Sequence, residues 1–308
     1  MRGTAQHFVR FQLIDDMNNF LEKNKPYILL LGDSLKLLRE IPDNSVDLVV
    51  TSPPYCMGKE YDKSNEIEYF IDIHKKIFPE IIRVVKDGGN ICWQVGYHVN
   101  TRNVIPLDFL IFDILKGYKD IYLKNRIIWQ YGHGLHSAKR FSGRHEVILW
   151  FTKGKDNNIF HLDPVRVPQK YPGKKYYKGL NKGEFSGNPL GKNPSDVWEI
   201  PNVKANHIEK TSHPCQFPVA LVQRLVLALS DEGGAVLDPF MGSGSTGVAA
   251  LLGKRRFIGI EISKKYLLIA KERCEEVLLG KAKYRTDKPI YIPSPNMSVS
   301  KKPESFKF

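Results

Sequence analysis

Ala235-Val-Leu-Asp238-Pro-Phe-Met-Gly-Ser-Gly-Ser-Thr-Gly247 is the stretch that decides the fold. Four residues, AVLD, read as a short buried strand. Glycines at 242, 244 and 247 then make a tight turn, and Ser245 to Leu252 reads as a helix. A glycine turn between strand and helix lets a ligand approach the backbone, and the helix start presents free N–H groups. Arg256 to Glu261 follows as a second strand. Its last residue lies 19 positions after Gly242, where a carboxylate can accept two hydrogen bonds from a ribose diol. Gly242, Gly244 and Gly247 also satisfy GxGxxG with an acid at the dinucleotide spacing, so an NAD-dependent dehydrogenase is one reading of this half.

Outward from this point, strand and helix signals alternate. Towards the N-terminus, buried β runs occupy Tyr27 to Leu31, Val46 to Val50 and Asn90 to Val95, with Ile121 to Tyr131 and Glu146 to Phe151 as further strands. Helical spacing covers Ser34 to Glu40, Ile67 to Val85 and Ile105 to Leu115. Pro218 to Leu229 and Ser263 to Leu279 are helices of the C-terminal half, and an amphipathic helix is expected around Phe11 to Leu21. Buried strands alternating with helices predict an α/β sheet of parallel strands with helices on both faces.

The alternation stops between Lys153 and Ser212. That segment holds six Pro, six Gly, 11 Lys or Arg and six Asp or Glu. A loop this long in a compact domain is functional or a small module. The expected division is therefore an N-terminal extension (1–26), a core domain from 27–152 and 213–279, an insert at 153–212 and a basic tail at 280–308.

Val46 to Val50 runs into Thr51-Ser52-Pro53-Pro54-Tyr55. The prolines end the strand, stiffen the turn and remove two donors, leaving carbonyls as acceptors. Ser52 adds a hydroxyl and Tyr55 a flat ring. Acceptors beside an aromatic face suit an amino group on a planar base, and the carboxyl end of a strand is where α/β folds hold ligands.

The chain has 308 residues, 46 Lys or Arg against 33 Asp or Glu, a net charge of +13 and a pI near 9.4. That balance favours a polyanionic partner, nucleic acid above all. With 42% hydrophobic and 26% charged residues, a wholly disordered chain is excluded. Mean hydropathy is −0.32, and no apolar run approaches a membrane span. No signal peptide is evident, so a cytoplasmic location is expected. Four cysteines, at 56, 92, 215 and 274, form no CxxC pair, which argues against zinc or a disulfide framework. Cys56 reads as packing.

Taken together, TSPPY and DPFMGSGSTG resemble the catalytic and cofactor motifs of the β-arrangement DNA amino-methyltransferases, which modify exocyclic amines of DNA bases. The resemblance runs from about Tyr27 to Leu279. It implies a Rossmann-like methyltransferase sheet, S-adenosylmethionine as cofactor, a flipped-out base in double-stranded DNA as substrate, and target recognition in the insert. It further implies catalytic roles for Ser52, Pro53, Pro54 and Tyr55. Asp238, Pro239, Phe240, Gly242, Ser243, Gly244 and Glu261 are implied to bind cofactor. Asp33 would lie near its adenine, and the His213-Pro-Cys-Gln-Phe-Pro218 segment, with Cys215, Gln216 and Phe217, would close over its methionine end.

Ser at the first motif position points to N4 of cytosine, with N6 of adenine as the alternative. A separate restriction endonuclease and a homodimer are the implied partners. Arg140-Phe-Ser-Gly-Arg-His-Glu146 matches a recurring segment without an assigned role, and His145 with Glu146 reads as a fold-stabilising pair. Within the insert, Lys170, Lys174, Lys175, Lys178 and Lys182 occur with no intervening acid, interleaved with tyrosines. They are expected to lie on DNA phosphates. A dehydrogenase leaves TSPPY and the charge unexplained. A catalytically dead DNA-binding protein and an RNA methyltransferase are the other readings.

Overall fold

A computed structural model describes residues 25–55, 67–99, 103–132, 134, 136–156, 158–168, 175–188 and 190–286, with Met17, Phe20 and Glu22. In chain order the elements are β1 (Tyr27–Leu31), α1 (Ser34–Leu38), β2 (Val46–Thr51), α2 (Ile67–Val84), β3 (Val85–Val95), β4 (Tyr97–Val99), β5 (Val104–Pro106) and α3 (Leu107–Leu115). There follow β6 (Ile121–Gln130), β7 (His145–Lys153), a 3-10 turn (Asp163–Val165), β8 (Val197–Glu199), α4 (Val219–Leu229), β9 (Ala235–Asp238), α5 (Ser245–Leu252), β10 (Arg256–Glu261) and α6 (Lys264–Leu278).

Eight strands form one sheet in the order β1-β10-β9-β2-β3-β7-β6-β8, and β4 pairs with β5 in a small hairpin. The strands from β1 to β3 are parallel, as the sequence predicts. One expectation needs correction: β7 runs antiparallel to both β3 and β6. Buried apolar runs do not encode direction, so only pairing reveals it.

Successive side chains of a strand face opposite sides of a sheet. In β2, Leu48 and Val50 pack on one face with α4, α5 and α6 residues such as Leu225, Ala249 and Cys274. Val49 packs on the other with Phe78, Ile81 and Ile111 from α2 and α3. Both faces of β2 are thus covered, which is why its sequence is continuously apolar.

Met17 and Phe20, both helical and buried, belong to the second of these faces. The rest of the helix expected around Phe11 to Leu21 lies outside the described residues, Glu22 being the only other one near it. β3 starts five residues earlier than the expected strand because Val85 pairs with Val46 before a register shift, so Asp87-Gly-Gly is carried within the strand. α3 starts at Leu107 because Val104–Pro106 is committed to the hairpin and Pro106 serves as N-cap.

The segment 153–212 is joined to the sheet. β8 extends it through parallel pairing with β6, and Val165, Trp198 and Ile200 are buried beside α4. The Trp198 ring lies 4.8 Å beneath the Arg224 guanidinium. Beyond Gly280, Arg285 N–H donates to Glu209 Oε1 at 2.9 Å, so the start of the tail is docked.

Asn90 stitches β3 to both flanks of this region. Fully buried, it donates through Nδ2 to the carbonyls of Leu229 (2.9 Å) and Ile159 (3.1 Å) and accepts from Trp150 Nε1 (2.8 Å). Asn90→Ala would strand an indole N–H and two carbonyls out of water. We expect a loss of about 3 kcal/mol of stability, read as a lower urea midpoint at unchanged slope. A midpoint shift no larger than that of an exposed substitution would show that these bonds contribute little.

Candidate active site

β9 leads through α5 to β10 on one side, and β2 leads through α2 to β3 on the other. The two helices lie on opposite faces. A crevice therefore opens at the carboxyl ends of β9 and β2, the switch point at which open α/β sheets hold ligands. TSPPY and DPFMGSG both emerge there.

They are tied together by Asp238. Its Oδ1 accepts from Thr51 Oγ1 at 2.6 Å and from Phe240 N–H at 3.0 Å, and Oδ2 accepts from Thr246 Oγ1 at 2.6 Å. The residue is fully buried. Burial pushes its carboxyl up to about 6, against the three donors that favour the charged form, and nearby Glu261 adds to the rise. Ser34 Oγ adds a bond to the Pro239 carbonyl at 2.5 Å, fixing the same loop from the β1 side.

Gly242 and Gly244 have φ of 52° and 77°, the left-handed region in which a side chain is strained. A Cβ at Gly244 would also sit 2.7 Å from Ala270 Cβ, so the turn packs directly on α6. Glu261, at the end of β10, accepts from Gly242 N–H (2.9 Å) and Ser263 N–H (2.7 Å). Ile262 N–H is a third main-chain donor to this carboxylate, which leaves accepting capacity for a ligand hydroxyl. Burial raises the Glu261 pKa above its ordinary value.

A cavity of about 1180 Å³ spans the crevice. Its lining brings together Ser52, Pro53, Pro54 and Tyr55 with Asp33, Pro239, Phe240, Gly242, Ser243 and Glu261. Cys215, Gln216 and Phe217 close it from the opposite side. The Gln216 side chain is spent within the chain: Oε1 accepts from Thr211 Oγ1 (3.0 Å) and Nε2 donates to the Glu209 carbonyl (2.8 Å). Its segment is thereby tied to Glu209 and Thr211. Asp238 and Gly244 do not line the cavity; they hold the wall from behind. Among the described residues no group of His, Cys, Asp and Glu could hold a metal ion.

Two residues of the site escape the sequence reading. Gln94 stands near the carboxyl end of β3, and Glu146 near the start of β7, and both line the cavity. Because β7 is antiparallel, its first residues lie at the carboxyl edge of the parallel strands. Gln94 Nε2 and Tyr55 Oη (3.2 Å) both donate to Glu146 Oε2. Ser52 Oγ lies 3.2 Å from the same phenol. Burial, then the Glu146 carboxylate, holds the Tyr55 phenol well above its usual range. The expected His145–Glu146 pairing is replaced by this arrangement, His145 being exposed. Gln94 could have been found from its place at a strand end; Glu146 could not, without strand direction.

The insert lysines Lys175, Lys178 and Lys182 are exposed and do not line the cavity. Lys175 Nζ lies 5.3 Å over the Phe185 ring in a turn closed by Tyr176 N–H to the Glu184 carbonyl (2.9 Å). Lys170, Lys174 and Cys56 lie outside the described residues. No described helix is long and apolar enough to cross a membrane.

Sheet order, antiparallel β7 and glycine loop define a Rossmann-like methyltransferase fold. The solved PvuII DNA methyltransferase (cytosine-N4-specific) aligns with a TM-score of 0.64 at 20% identity, covering 84% of this chain and 94% of its own. The Thermus thermophilus protein TTHA0409, described as a candidate DNA modification methylase and solved complexed with S-adenosyl-L-methionine, aligns with a TM-score of 0.58 at 26% identity over 82% and 96%. A family profile described as DNA methylase, of the N6/N4 methyltransferases, matches residues 46–272, and the chain belongs to that family. The GxGxxG-like run lies inside the match, which answers the dehydrogenase alternative. Among relatives, type II methyltransferase M.BglII of Bacillus subtilis is 49% identical over 240 residues, 78% of this chain and 66% of its own length. DNA adenine methyltransferase YhdJ of Escherichia coli K12 is 34% identical over 256 residues, 82% of this chain and 84% of its own.

A carboxyl whose folded pKa is raised stabilises the fold when protonated and loses that contribution as pH rises through the folded value. For Asp238 the window runs from about 4 to about 6. Wild type should therefore gain stability relative to Asp238→Asn as pH falls from 7 to 4, by up to roughly 3 kcal/mol. Paired urea titrations at the two pH values check this; a constant difference would mean the carboxyl is not desolvated.

Proposed function

We propose that the chain is an S-adenosylmethionine-dependent DNA methyltransferase that methylates the exocyclic N4 of cytosine in a flipped-out base. The observation that carries this is the shared cavity lined by both the Ser52–Tyr55 turn and Gly242–Ser243 of the glycine loop, the two joined through Thr51 and Asp238. The cofactor fits the residues present. Glu261 keeps accepting capacity for a ribose hydroxyl, Asp33 follows β1 as the N-cap of α1 and lines the same cavity, and 213–217 lines it as well. When bound it supplies an electrophilic methyl group.

The target amine is a weak nucleophile because its lone pair is delocalised into the base. Tyr55 has one hydroxyl proton and gives it to Glu146. Ser52 is then the donor in its bond to Tyr55 and keeps its lone pairs for the amine. Ser52 Oγ and the Pro53 carbonyl accept the two N–H groups, drawing the nitrogen towards tetrahedral geometry. The proton released as the carbon–nitrogen bond forms has a route through Ser52 and Tyr55 to Glu146. The Tyr55 ring stacks on the base, and alignment of nitrogen with the methyl group supplies much of the remaining acceleration.

Ser52 supports cytosine N4 as target. Adenine N6 is the second reading, favoured by the identity to a DNA adenine methyltransferase. Mass spectrometry of nucleosides from DNA of cells expressing the chain separates the two. The likeness to a type II methyltransferase supports a role in protecting DNA from a separate restriction endonuclease. A homodimer is also proposed.

Ser52→Ala and Glu261→Ala should fail differently. Ser52→Ala loses a transition-state hydrogen bond, about 2.7–4 kcal/mol in turnover, with cofactor affinity kept. Glu261→Ala loses charge-assisted bonds to the ribose and weakens calorimetric affinity for S-adenosylmethionine first, by roughly 1.5–3 kcal/mol. The same phenotype in both variants would dissolve the division of labour.

The insert lysines are proposed to sit on phosphates. Replacing Lys175, Lys178 and Lys182 by Gln should weaken binding to all sequences and flatten the log–log salt slope by up to ~2.7, without changing cofactor affinity. An unchanged slope would place the DNA track elsewhere.

A further inference from the structure

Phe141, in the loop between β6 and β7, has 100% of its surface exposed. A single exposed apolar side chain is ordinary, but three observations set this one apart. The loop is pinned. Ser137 N–H donates to Ser142 Oγ at 3.1 Å, and Tyr131 N–H donates to the Arg144 carbonyl at 2.9 Å. Gly143 lies so close against Tyr97 that a Cβ would fall 1.6 Å from its hydroxyl. The loop also contributes to the cavity wall, since Arg140 and Gly143, on either side of Phe141, line it, and the fully exposed Phe141 stands outside that lining. Its charge is of one sign: no acid occurs between Asp120 and Glu146, while Lys139, Arg140 and Arg144 flank the ring. Arg140 itself lies 5.9 Å over the Tyr97 ring.

A rigid, cationic lip that presents an apolar ring beside a pocket for one base fits a duplex with a gap in its stack. We propose that Phe141 enters the DNA stack at the place left by the extruded base, with Lys139 and Arg140 on the flanking phosphates. This rests on the methyltransferase reading above. Extrusion loses pairing and stacking; an inserted ring restores stacking and blocks the base's return. Leu180, at the turn of the insert, is equally exposed, but no residue from 177 to 183 lines the cavity.

The test uses the full chain and duplex oligonucleotides carrying the site reported by modified-base sequencing. Transfer of tritiated methyl is followed in a single turnover, on paired duplex and on duplex with an abasic position opposite the target. Phe141→Ala should slow transfer about ten- to a hundredfold on paired duplex and return to within about threefold of wild type opposite the abasic position. Phe141→Trp should stay near wild type, Leu180→Ala should be unaffected, and S-adenosylmethionine affinity should be unchanged in all. The proposal is overturned if Phe141→Ala matches wild type on paired duplex, if it loses equally on both duplexes, or if Leu180→Ala alone shows the abasic rescue. A wild-type chain that methylates no DNA overturns the methyltransferase reading itself, and the wild-type arm reports that separately.

Discussion

Asp238 holds the molecule's two halves in functional register. One carboxylate, closed to water, takes hydrogen bonds from Thr51 at the end of β2, Thr246 at the start of α5 and the main chain of Phe240. Thr51 and Asp238 are 187 positions apart in sequence. Burying an acid is costly unless donors surround it, and the raised pKa records that the compensation is incomplete. The retained cost fixes the distance between the Ser52–Tyr55 turn, proposed to receive an amine, and the Gly242–Ser243 loop, proposed to receive the cofactor. In-line transfer depends on that distance, because reacting atoms must be held about 3–3.5 Å apart and aligned.

The reversed direction of β7 is the second constraint. A parallel strand there would place His145 and Glu146 at the amino edge of the sheet, far from the crevice. Antiparallel pairing with β3 and β6 brings Glu146 beside Tyr55 and Gln94 instead. The carboxylate then orients the phenol, and the phenol orients Ser52. In the proposed reaction this polarity leaves Ser52 as an acceptor for the amine. Direction of a strand thus becomes direction of a hydrogen bond.

Outside the crevice the surface is built for a large anionic partner. The insert adds β8 to the sheet edge and carries exposed Tyr177 and Phe185 among its lysines. The β6–β7 loop adds cations and an open ring at the cavity mouth. Apolar groups set among positive charge suit a polymer with charged edges and stacked planar faces. As proposed, attraction of the polymer falls to the insert and handling of one base to the β6–β7 loop.

The amino-acid sequence by itself determined most elements and the strongest motifs. β1, β9, α5 and β10 run as their apolar patterns and glycine punctuation indicate, because short apolar runs and left-handed glycines mark an element and its end locally. Ser52–Tyr55, Gly242 and Glu261 were legible for the same reason: each sits at a strand end marked by residues that stop a strand. Only the tertiary structure decided that Asp238 supports the cavity wall, that Glu146 belongs to the site, and that Phe141 stands at its lip. Those facts depend on strand order and direction, which are fixed by pairing between segments distant in sequence, and a pattern of apolar residues carries no record of which partner it will meet.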